Sequence, residues 1–164
     1  MPNDPSTQLS EATWIQMAFP SQPEWESLSD ETLIELVREF SMEPSCAGFA
    51  LGVLVARRHS MAEELCNYHF QDERADKWLR AGALGRLMSL NPLDGLTKAM
   101  AFIEEDDAGV LVDVIVALNY EHQGPLAEAI HRHPIVPMVK RQIAQRGADA
   151  VDFSEIFASN FGVE

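Results

Sequence analysis

Apolar residues recur three and four positions apart along most of this chain, which is the spacing that aligns side chains on one face of an α-helix. From Ser29 onward, Leu33, Leu36, Val37 and Phe40 form such a stripe, with Asp30 and Glu31 in the first turn where the helix dipole favours acids. Pro44 is expected to end this helix. Residues 45–58 are apolar almost all round (Cys46, Ala47, Phe49, Ala50, Leu51, Val53, Leu54), so they predict a central helix covered on more than one face. Ser60 and Glu63 have the spacing of a capping box that would open a helix over 60–70, with Met61, Leu65, Cys66 and His69 inward. After a polar turn, Trp78, Leu79, Ala83, Leu84, Leu87 and Met88 give a broad stripe over 74–90. Asn91 and Pro92 are a cap and first-turn pair opening a helix over 93–105. Further helices are expected over 110–120, 126–132 and 135–145, the last stopped by Gly147, and a short capping helix over 153–161.

Two stretches need separate treatment. The run from Val110 to Leu118 is rich in β-branched residues, so a buried strand competes there. Helix is preferred, because a lone strand among helices has nothing to pair with. Residues 1–28 are rich in Pro, Ser and Thr yet hold Trp14, Phe19 and Trp25, and they read as an arm that docks by its aromatics onto a helical domain over 29–164. Within the arm, residues 10–19 have the makings of one or two helical turns, stopped by Pro20 and Pro23.

The alternation of helices carries a repeat. Asp76, Leu79, Arg80, Ala83, Leu84, Gly85 and Leu87 follow the Asp, Val-Arg, Ala, Leu-Gly pattern of the second helix in HEAT-like repeats, which this segment resembles. A shift of 31 positions gives Asp107, Val110, Val114, Ile115 and Leu118, with Leu111 in place of the Arg and Val116 in place of the Gly. A further 29 gives Val139, Lys140, Ile143 and Ala144, and 31 back from the first gives Ser45, Gly48, Gly52, Val53 and Ala56. The resemblance implies an all-α fold, a short right-handed stack of antiparallel helical hairpins (an α-solenoid) of about four units, whose free helical face binds a macromolecule. A compact helical bundle is the alternative.

Charge narrows the partner. The chain has 26 acidic and 12 basic residues, a net charge of −14. Direct nucleic-acid binding is therefore not expected, because it needs a basic footprint. Residues 1–43 hold nine acids and one base, and residues 91–133 eight acids and two bases, while 44–90 is close to neutral. Solubility alone accounts for such a surface; so does selection of a basic protein. No run is long and apolar enough for a bilayer, and the start at Met1-Pro2-Asn3 lacks a signal peptide's basic and apolar regions, so a cytoplasmic location is expected. Cys46 and Cys66 both fall in helical segments and read as buried thiols.

Catalytic motifs are not found: there is no phosphate-cradling Gly-rich loop, nucleophile elbow, His-Glu-x-x-His or paired Cys-x-x-Cys. His131 and His133, with His122 nearby, are the candidate metal ligands, but two residues apart on a helix is about 200°, so one ion could use both only where the helix ends. The expectation is a non-enzymatic module without cofactor or metal that binds a basic protein, an immunity protein neutralising a basic toxin being one form. A general adaptor or a small helical metalloenzyme are the alternatives. The acidic corner Glu104, Glu105, Asp106 and Asp107, with Glu35 and Glu39 on the first repeat helix, supplies the candidate partner-binding residues. Oligomeric state is not legible. Gly82 and Gly85 are read as close helix-packing positions.

Overall fold

A computed structural model describes residues 9–104 and 108–162. Among the described residues every regular element is helical. The α-helices run α1 (Glu11–Ala18), α2 (Asp30–Arg38), α3 (Pro44–Ala56), α4 (Ala62–Gln71), α5 (Lys77–Leu90), α6 (Pro92–Ala99), α7 (Ala108–Glu121), α8 (Ala127–His131), α9 (Ile135–Arg146) and α10 (Ser154–Phe161). Short 3-10 turns stand at Trp25–Ser27 and Ala148–Ala150. The β-branched run from Val110 is helical in α7, because Val110, Leu111, Val114, Ile115 and Leu118 fall on one face and are buried together. The chain divides into two compact units, residues 1–83 and 84–164, with the division inside α5. No helix among the described residues is long and apolar enough to cross a membrane.

In the first unit, α2 packs on α1, α3 and α4. Its core holds Leu33, Leu36 and Val37 of α2 and Leu51 and Leu54 of α3, all without measurable exposure. Polar clamps fix the helix ends around this core. Ser10 caps α1 by accepting from the Thr13 amide at 3.2 Å and donates its hydroxyl to Glu35. Thr32 of α2 donates in return to Glu11 of α1 at 2.7 Å. Arg57, just past α3, bonds Asp30 and donates to the carbonyls of Glu26 and Leu28 at 2.8 and 2.9 Å, tying down the segment before α2. Trp25 meets Phe49 of α3 with ring centroids 5.4 Å apart, whereas Trp14 is 58% exposed. Cys46 and Cys66 are buried, neither is in a disulfide, and desolvation pushes the Cys46 thiol up from its ordinary value.

Three sequence expectations change. Pro44 does not end α2, which stops at Arg38; it is the first residue of α3, where its missing N–H costs nothing, and Glu43 caps the helix by accepting from Ser45 at 3.1 Å. The Ser60–Glu63 capping box does not form. The helix begins at Ala62 with Met61 in the cap position, and His59 Nδ1 accepts the Met61 amide at 3.1 Å just before it. Trp78 is not on the inner stripe of α5: it lies nine residues from buried Leu87, about 180° round the helix, and is 68% exposed with the Lys77 ammonium over its ring. The helix itself starts at Lys77, where Asp76 accepts from the Leu79 amide at 2.8 Å.

In the second unit, α7 is the hub, packed by α6, α8 and α10. α5 and α6 approach closely at Gly95. A Cβ there would stand 2.7 Å from the backbone Cα and N of Met88, which cannot move aside as a side chain could. Gly48 of α3 differs, since a Cβ would meet only Leu79 at an ordinary 3.9 Å. Gly95→Ala should therefore destabilise the protein by about 1–3 kcal/mol or more, while Gly48→Ala should be neutral or stabilising by about 0.5–1 kcal/mol. Urea unfolding of the two variants beside the parent checks this, and equal midpoints would refute it.

His133 is buried in the second unit. Its Nδ1 accepts the Ile135 amide at 3.2 Å at the start of α9, which leaves Nε2 to donate to the Thr97 hydroxyl, also at 3.2 Å. Desolvation lowers its pKa from the ordinary 6.5. The folded state therefore binds this proton less readily than the unfolded state. The His133 contribution is intact above about pH 6.5 and is lost as pH falls from there towards the lower folded value. Unfolding free energies measured at about pH 7.5 and 5.5 should differ less in His133→Gln than in the parent; an unchanged difference would refute the assignment.

Candidate functional site

The residue pattern of α7 is apolar on two opposite faces. One face, Val110, Leu111, Val114, Ile115 and Leu118, is fully covered. The other carries Asp113, Val116, Ala117, Tyr120 and Glu121 at i, i+3, i+4, i+7 and i+8, a single continuous stripe. It is open: Val116 is 47% and Tyr120 83% exposed. Gly85, Met88 and Ser89 of α5, also at i, i+3 and i+4, form the second wall of a groove of about 390 Å³ with this stripe. Gly85 allows the close approach, because a Cβ there would come within 3.1 Å of Asp113 Oδ2. The lining is apolar apart from Ser89, the Tyr120 hydroxyl and two carboxylates, one at each end of the α7 stripe.

The acidic residues singled out in the sequence do not converge with this groove into one site. Glu35 is half-buried and bonded to the Ser10 hydroxyl, so its carboxylate helps hold α1 on α2. Glu39 is exposed at the end of α2, beside a cleft lined by Arg38, Phe40, Arg74 and Asp76. Glu104 is exposed and pairs with Arg141 of α9 at 3.2 Å. Glu105, Asp106 and Asp107 lie outside the described residues. Asp113 sits inside the apolar run from Val110 to Leu118 and Glu121 three residues past it, so neither stood out in the sequence; the signal for them was a second helical stripe beside the core face.

The histidines each have a local partner. His131 donates from Nε2 to the His122 carbonyl at 3.1 Å, and its ring lies 4.7 Å from that of Phe161 in α10. His133 points away from it to Thr97. His69 is buried and donates to the Val37 carbonyl at 2.6 Å, while His59 accepts the Met61 amide just before α4. Among the described residues no three His, Cys, Asp or Glu side chains gather as metal ligands. Asp72, bonded by the neighbouring Arg74 guanidinium, has a carboxyl held down at about 2, an exposed local pair rather than a site. Comparison with protein families, with curated proteins and with solved structures found no match in any of the three.

Proposed function

We propose that this protein is a non-enzymatic binding module whose acidic helical surface takes a basic protein partner. One observation carries the reading: α7 leaves an apolar stripe open to water with a carboxylate at each end, in a chain of net charge −14. An exposed apolar stripe costs solvation unless a partner covers it, and carboxylates beside it favour a cationic partner and repel phosphates. A basic toxin neutralised by this chain as its immunity protein is one form of the proposal; a general adaptor is the other. A gene for a large toxin directly upstream would favour the first. The reading of repeated helical hairpins belongs to the same proposal, and the order of elements supports it, since α3, α5, α7 and α9 coincide with the repeat positions and α2, α4, α6 and α8 alternate with them. Cytoplasmic residence fits the two buried thiols.

Affinity capture of the full chain from its native cells, followed by kinetics of the captured protein, tests the reading. Association should slow as salt rises through the range where the Debye length shrinks below about 10 Å. Glu104→Lys with Glu105→Lys should slow association and flatten its salt dependence if the acidic corner steers the partner, with the fold retained, since the Glu104–Arg141 pair is exposed and worth about 1 kcal/mol or less. An association rate indifferent to salt would refute the electrostatic reading; a rate unchanged by the double substitution would remove the corner from the interface.

A further inference from the structure

We propose that the groove between α9 and α10 is the contact by which two copies of this chain pair about a two-fold axis. Both of its walls are held locally. Gly147, at φ 90°, turns the chain out of α9 into the 3-10 turn at Ala148–Ala150. Ser154 ties α10 back to that turn by donating its hydroxyl to the Ala148 carbonyl at 2.8 Å. Phe157, buried at the base of the groove, stacks on Phe161 with ring centroids 4.8 Å apart. The result is a space of about 310 Å³ walled by Ile143, Ala144 and Ala148 on one side and Ala158 on the other. Ile143 is half-buried and is the large aliphatic side chain of this lining.

The charges select a second copy as the occupant. Lys140 stands on the α9 wall and Glu155 on the α10 wall, and among the described residues neither forms an ion pair. Residues 135–162 hold three bases (Lys140, Arg141, Arg146) and three acids (Asp149, Asp152, Glu155), a balance of zero in a chain of net charge −14. A strongly basic or strongly acidic partner gains nothing from a balanced surface with one charge of each sign at its groove. A two-fold axis makes every contact twice, so setting Lys140 of one copy against Glu155 of the other satisfies all four charges. The apolar lining then forms the middle of the interface, with Ile143 of each copy over the groove of the other, and the ion pairs form its rim. Residues 1–43, with nine acids and one base, would instead repel their own copy.

Sedimentation velocity of the full chain over about 5–300 µM, the range in which an interface of small area associates, tests the pairing. The parent should shift from monomer towards dimer as concentration rises. Lys140→Glu or Glu155→Lys alone sets like charges against each other twice and should weaken the dimer about tenfold or more. The two reversals together re-create the pair with its signs exchanged and should restore association. Ile143→Ser should also weaken the dimer, and circular dichroism confirms that each variant stays folded; the exposed charge variants carry the test where Ile143→Ser does not fold. A monomer at every concentration would overturn the proposal. So would a dimer that either single reversal leaves unmoved or that the double reversal fails to restore. Oligomers that grow past the dimer with concentration would overturn it in favour of a head-to-tail contact.

Discussion

None of these helices can persist alone in water. The longest, α5 and α7, have 14 residues each, at the margin of what an isolated helix sustains even with favourable residues. Each must therefore bury an apolar stripe on a neighbour, and every other feature answers to that requirement. The fully covered leucines of α2 and α3 in one unit, and the covered face of α7 in the other, are where it is met. At Gly95 it is met so closely that the backbone of Met88 occupies the space of a side chain.

Packing short helices also multiplies helix ends, each with unpaired backbone groups. Some are answered by capping side chains. Ser10, Ser29 and Asn91 cap α1, α2 and α6 by the expected geometry. Others are answered by residues that sequence patterns seldom offer, as when His59 serves the start of α4 and His133 the start of α9. His59 and His133 are thereby each committed to a backbone amide. A ring committed to a backbone amide through one nitrogen has lost much of its freedom as a ligand.

The same requirement marks out the candidate site by exception. α7 has enough apolar residues for two buried faces, and only one is covered. The open face has a carboxylate at each end and is walled by Gly85, Met88 and Ser89 of α5.

Helical class, most element positions and the cap at Asn91 were legible in the sequence, because they depend on spacing and on side chains within a few residues of each other. What the local pattern could not decide was which of two apolar faces a helix buries. Trp78 has the composition of a core residue and yet lies opposite Leu87, and Phe49 and Val116 sit on helices apolar all round. Nor could it show that Glu35 is spent on Ser10 or that Gly95, rather than Gly82 or Gly85 alone, is where two backbones meet. Those outcomes depend on groups far apart in the chain. Periodicity reports the faces a helix offers, whereas only the packed neighbours determine which of them water still reaches.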